Sequence, residues 1–176
     1  NVRRTLEAVD ARAFSAAVAR IADERRTVLV LPSEQCRAPG SHFAVELSLL
    51  RDGVRLVGGS EFRVVSQLAR VRRGDVALVI DLRRHERWIV DASERLQAAG
   101  AHRIAVSDSV LSPLVQGARQ AFVVAAEASG PFDSTVGIVA LLNALVAGVA
   151  DRRRAAATRR LDALEATWVA SGALVD

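Results

Sequence analysis

The sequence predicts an α/β fold: a five-stranded parallel sheet, doubly wound, between helices in a three-layer α/β/α sandwich. Three observations predict it. Short unbroken runs of β-branched and aliphatic residues, the mark of strands buried on both faces, recur along the chain. Longer stretches with apolar residues at helical spacing lie between them. The alternation of the two favours parallel strands joined by crossovers. With 176 residues, half of them apolar by type, the chain can build a sizeable core, and one domain over residues 1–176 is expected.

The first helical pattern starts at Asp10, a candidate N-cap, and places Phe14, Ala17, Val18, Ile21 and Ala22 on one face. Thr27 to Leu31 is the first strand, ended by Pro32. A helix over about 41–51 follows and stops near Asp52 and Gly53. Val54 to Val57 reads as the second strand, and Gly58, Gly59 and Ser60 as a turn. A helix over about 61–71 then leads through Gly74 and Asp75 into Val76 to Ile80, the third strand. In the next helix, about 86–99, Trp88, Ile89, Ala92 and Leu96 make one stripe, and Gly100 is the stop signal. Arg103 to Ser107 is the fourth strand. Ser112, Pro113 and Leu114 open a short helix, because proline is tolerated in a first turn, and Ala121 to Ala125 is the fifth strand. Asp133 or Ser134 caps a long helix through Ala150, with the pattern continuing through Leu161, Leu164 and Trp168. That helix is apolar nearly all round, so the sheet, another helix or a second copy must cover it.

The composition excludes several classes. Cys36 is the lone cysteine, so no internal disulfide framework exists, and the first residues show no secretory or transit pattern; a reducing cytoplasm is the expected location. The longest apolar stretch, Thr135 to Ala150, is shorter than the roughly 20 residues a bilayer span requires, and Asp151 and three arginines close it. No membrane role is expected. The net charge is +4 and every basic residue is arginine. Arginine suits bidentate contacts with carboxylates and phosphates, but uniform usage also fits a coding bias. The arginines at 152–154 and 159–160 can touch nucleic-acid phosphates or simply form a solvated helix face. Methionine is absent even at position one, so the chain reads as a piece of something longer.

In open parallel sheets, ligands sit beyond the carboxyl ends of the strands, where the strand order reverses. The candidate ligand-binding residues are therefore Ser33, Gln35 and Arg37 after the first strand, Arg83, Arg84 and His85 after the third, and Ser107 and Ser109 after the fourth. Arg83 and Arg84 precede a helix whose N-terminal amides favour an anion. They either hold that anion, pair with Asp81 or Glu86, or face solvent. The serines either bond ligand oxygens or cap local turns. Catalytic signals are weak: Cys36 and His85 come near each other if the first and third strands are neighbours, but a lone cysteine with a distant histidine is a low-grade sign of a nucleophile, and His42 and His102 have no partners at metal-ligand spacing. No glycine fingerprint for a nucleotide follows the first strand. No cofactor or metal is expected.

Several phrases in this order resemble the sugar isomerase (SIS) domain that forms the C-terminal half of RpiR-type bacterial transcriptional regulators. They are Gly74-Asp75-Val76; Ala98 to Ala101; Val106-Ser107-Asp108-Ser109 with Ser112-Pro113-Leu114; and Phe132-Asp133-Ser134 opening a helix that contains Leu141 to Leu145. The resemblance spans nearly the whole chain. It implies a flavodoxin-like sheet, a homodimer, and sensing of a phosphosugar or related anion that alters DNA binding by a separate N-terminal helix-turn-helix domain, with Asn1 to Leu6 as the join. It also exposes two departures. Phosphosugar-binding members carry a glycine- and serine-containing loop after the first strand and a Ser-x-Ser-Gly-x-Thr turn after the third. Here those places hold Pro32 to Cys36 and Asp81-Leu82-Arg83-Arg84-His85-Glu86. The implied ligand is thus a sugar phosphate or sugar acid held by guanidinium groups. The alternatives are a purely structural dimerisation module with a vestigial pocket, or an aldose–ketose phosphate isomerase, for which no base is placed.

Overall fold

From the N-terminus the elements are α1 (Val2–Glu7), α2 (Ala11–Ile21), β1 (Val28–Pro32), α3 (Arg37–Leu50), β2 (Val54–Leu56) and α4 (Glu61–Leu68). Then come β3 (Val76–Ile80), α5 (Arg87–Ala98), β4 (His102–Ser107), β5 (Gln120–Val123), α6 (Val136–Arg152) and α7 (Arg154–Ser171). The structure is a computed structural model that describes residues 1–173. All five strands are parallel, in the order β2-β1-β3-β4-β5. Winding runs one way from β1 to β2 and the other way from β3 to β5, so the reversal falls between β1 and β3.

Every residue of β1 and β3 is buried, as their unbroken apolar runs require. Alternate side chains serve opposite layers. Val28, Val30, Leu78, Ile80 and Ile104 face α2, α3 and α6, whereas Leu29, Leu31, Val79 and Ala105 face α4 and α5. Each fully buried aliphatic side chain contributes about 1.5–3 kcal/mol by leaving water, so the densest stabilisation lies on the central strands that carry the switch point. The sheet, α1, α2 and α3 cover α6, and this accounts for its apolar circumference. Among the described residues, no helix is long and apolar enough to cross a membrane.

Asp10 caps α2, its carboxylate accepting the Ala13 amide at 2.7 Å. Gly100 follows α5 in the left-handed region, at φ 73°. Four local expectations are corrected. The helix after β1 begins at Arg37, not Ser41: Pro39 falls inside the first turn, where its missing N–H has no helical partner to lose. Gly40 lets that turn close on the strand end, since a Cβ there would lie 2.6 Å from Pro32 Cβ. Residues 112–114 form turns rather than a helix. The bonds there reach back only three residues, from Val115 to Ser112 and from Ala118 to Val115, and Gly117 at φ 70° stops any continuation. The long C-terminal pattern breaks at Arg153, whose side chain reaches the Leu50 carbonyl at 2.7 Å and Glu24 at 2.5 Å. Finally, Thr135 rather than Asp133 or Ser134 is the α6 N-cap residue, because the Asp133 carboxylate is engaged elsewhere. The segment read as a join forms α1, where Thr5 Oγ1 accepts the Ala125 amide at 2.9 Å.

Candidate functional site

The switch point places the turn after β1 beside the turn after β3, and the Ser33 amide donates to the Ile80 carbonyl at 2.9 Å. Above them opens a cleft of about 780 Å³. Its walls are Glu34 and Gln35 from the first turn, Arg83, Arg84 and Glu86 from the second, and Phe132, Asp133 and Thr135 from the segment entering α6.

The floor of the β3–α5 turn is a buried hydrogen-bonded chain. Asp81, fully buried, accepts the Leu82 amide at 2.9 Å through Oδ1 and faces His85 Nδ1 at 3.0 Å through Oδ2. His85 Nε2 lies 2.9 Å from Ser112 Oγ, which also accepts the Leu114 amide at 3.3 Å. Nδ1–H can donate to Asp81 while Nε2 and the Ser112 hydroxyl share the second bond. The order Ser–His–Asp is that of a hydrolytic triad. However, Ser112 is 3% exposed, so no substrate carbon can reach its oxygen. The chain braces the arginine turn against the β4–β5 connection. Cys36 is buried too, and desolvation pushes its thiol up to about 11, which removes the thiolate that nucleophilic attack requires.

The two arginines of the turn differ. The Arg83 amide donates to Asp108 at 2.9 Å, and its guanidinium clasps Asp133, with Nε at 2.9 and 3.1 Å and Nη2 at 2.5 Å. This clasp holds the Asp133 carboxyl below its ordinary range. Arg84 is exposed and makes no side-chain hydrogen bond or ion pair among the described residues. It is also the sole non-glycine with positive φ there, at 63°, and it stands where the Ser-x-Ser-Gly-x-Thr turn has its glycine. Glu86, the N-cap residue of α5, does not cap its own helix. Its carboxylate accepts the Glu34 amide at 2.7 Å and the Trp88 indole N–H at 2.5 Å. Glu34 itself pairs with Arg37 at 2.7 Å.

Of the residues singled out by sequence, Gln35, Arg83 and Arg84 line the cleft, and Arg37 stands behind Glu34. His85 has both ring nitrogens occupied inside the brace. Ser33 and Ser107 are fully buried, the first with no partner for its hydroxyl and the second donating to Asp108 at 3.5 Å. Ser109 accepts the Leu111 amide at 3.1 Å, a local turn bond. Sequence reasoning passed over Glu34, Phe132 and Thr135 as cleft residues, read Glu86 only as an ion partner for the arginines, and read Asp133 only as a helix cap. The phrase Phe132-Asp133-Ser134 was the available signal, but its place opposite the arginine turn depends on a pairing about 50 residues apart in the chain.

Residues 39–148 match the family model of the SIS domain. The chain belongs to the SIS-domain family. Among solved structures, the SIS-domain fold here is similar to the sugar isomerase domain of an RpiR transcription factor from Sphaerobacter thermophilus. The TM-score is 0.83 at 28% identity, covering 94% of this chain and 92% of that one. Vibrio vulnificus NanR, complexed with ManNAc-6P, gives a TM-score of 0.78 at 13% identity over 99% of this chain and 66% of that one. A Methanococcus jannaschii protein whose structure infers 3-hexulose-6-phosphate isomerase function gives 0.67 at 15% identity, covering 85% and 84%. The last two likenesses concern the fold. No curated protein matches the sequence.

Proposed function

We propose that this SIS domain is the effector-sensing and self-associating part of a DNA-binding transcriptional regulator, and that its ligand is an anionic carbohydrate derivative. One observation carries the reading: the likeness to the RpiR sugar isomerase domain extends over 94% of the chain at 28% identity. The cleft supports it. Arg84 presents an uncommitted guanidinium at the switch point, where ligands of such sheets bind. DNA contact belongs to a helix-turn-helix unit outside this fold. Isomerisation fits the site less well, because His85 and Asp81 are spent on the brace and the cleft carboxylates already accept hydrogen bonds. A second reading, a dimerisation module without ligand, draws on the Arg83–Asp133 clasp, which satisfies one of the two arginines internally.

Thermal shift against a panel of sugar phosphates and sugar acids separates these readings. The expected result is a saturable rise in Tm with at least one compound, lost in the Arg83→Ala, Arg84→Ala double variant, and no isomerase turnover. If no compound in either class raises Tm, the sensing half fails and the dimerisation module stands. Aldose–ketose turnover by the wild type would replace both with the enzyme reading.

A further inference from the structure

We infer that the cleft selects a singly charged sugar acid over a sugar phosphate. The inference rests on the effector reading and deepens it by fixing the ligand's charge and the group that holds it. It starts from a count of the charges lining the cleft. Arg83 is neutralised by the two-oxygen clasp of Asp133, and Glu34 by Arg37. Two charges remain without an ionic partner among the described residues, the guanidinium of Arg84 and the carboxylate of Glu86. The cleft therefore offers one free cation and no surplus of positive charge.

Glu86 decides which anions fit. At the mouth of α5 its carboxylate already takes two donors that an incoming anion would otherwise use, the Glu34 amide at 2.7 Å and the Trp88 indole at 2.5 Å. The protein's own acid thus occupies the region between the β1 turn and the helix start, where backbone amides favour an anion. A phosphate monoester, largely dianionic at neutral pH, would meet one guanidinium and one resident carboxylate, with a negative charge left uncompensated. A sugar acid brings one negative charge fewer against the same Arg84 and Glu86 pair, and its carboxylate can lie in the planar fork of Arg84.

The rest of the cleft suits the sugar ring. Phe132 is 83% exposed on the wall facing the arginine turn, a large apolar face without a packing partner. It offers a stacking surface for the C–H face of a pyranose. Gln35 holds Asp81 and the Leu82 carbonyl only through long contacts from Nε2, at 3.3 and 3.4 Å, which leaves its amide oxygen for a hydroxyl. Thr135 lines the same wall with its hydroxyl uncommitted.

Isothermal titration tests the inference on the wild-type chain with matched probes: the uronates of glucose, galactose and mannose against the 6-phosphates of the same hexoses. At least one acid should bind at least tenfold more tightly than its matched phosphate, and Phe132→Ala should weaken it about tenfold. Glu86→Gln should narrow the gap by strengthening phosphate binding. If no acid exceeds its matched 6-phosphate tenfold, or if the tightest binder of the panel is a 6-phosphate, the inference is overturned while the effector reading stays intact. If neither series binds, the effector reading falls and takes the inference with it. Because the acid-to-phosphate ratio is measured on the unmodified protein, poor folding of the Glu86 variant does not rescue the idea.

Discussion

Arg84 shows how a residue-scale departure can serve a site. An L-residue in the left-handed region costs about 1–2 kcal/mol, whereas glycine adopts it freely. The turn after β3 nevertheless holds arginine at φ 63°, exposed and without an ionic partner. Strain of this kind persists where the surroundings over-determine it, and the Asp81–His85–Ser112 brace does so here. Arg84→Gly should therefore raise stability by about 0.5–1 kcal/mol in urea denaturation, net of the extra freedom glycine has in the unfolded chain, while abolishing ligand binding. Arg84→Ala should lose binding without the gain in stability, because alanine keeps the strained φ. A glycine variant less stable than wild type by more than about 1 kcal/mol would mean that the guanidinium holds the turn and is not reserved for a ligand.

At the scale of elements, strands were the most legible part of the sequence. Val76 to Ile80 is read to the residue, because a strand buried on both faces leaves an uninterrupted apolar run. Helix ends were less legible. Pro39 and Gly40 look like breakers, yet a first turn tolerates both, so α3 starts four residues earlier than its periodicity suggests. Arg83 and Arg84 are identical in sequence terms, and only the fold, by bringing Asp133 opposite one of them, divides them into a clasp and a free cation. Arg51 makes the same point for stability. It stands at the end of the helix expected over about 41–51, and it is fully buried, donating to the carbonyls of Ile21, Asp23, Arg26 and Asp52. It thus ties the end of α3 to the end of α2 and the entry to β1. Arg51→Met should cost roughly 3 kcal/mol, because methionine keeps the bulk but leaves those carbonyls short of donors. Arg51→Lys should recover little of this, since an ammonium cannot span the same fork. Chemical denaturation of the two variants checks both, and a loss below about 1 kcal/mol for Arg51→Met would show that water replaces the guanidinium at no penalty.

For the whole molecule, the order β2-β1-β3-β4-β5 both creates the cleft and decides which helices are left at the surface. The layer formed by α4 and α5 is thin, whereas the opposite layer stacks α1 on α6 and α7 on α3. Although α6 is largely covered, its Val136 and Val139 stay 52% and 38% exposed, and Val2 and Leu6 of the helix packed on it are 42% and 43% exposed. Exposed apolar residues on two helices packed together are candidates for a symmetric contact between copies, in which the same residues serve both partners. These residues are where the proposed self-association is to be tested. Light scattering at micromolar concentration should give the mass of two chains. Leu6→Glu combined with Val139→Glu should shift the protein to one chain at a stability cost of about 1 kcal/mol, because both side chains are only partly covered in the isolated fold. A single-chain mass for the wild type would remove self-association from the proposed role. A dimer that survives the double substitution would place the contact on another face, with the α3–α7 side, where Val45 is 59% exposed, as the next surface to substitute.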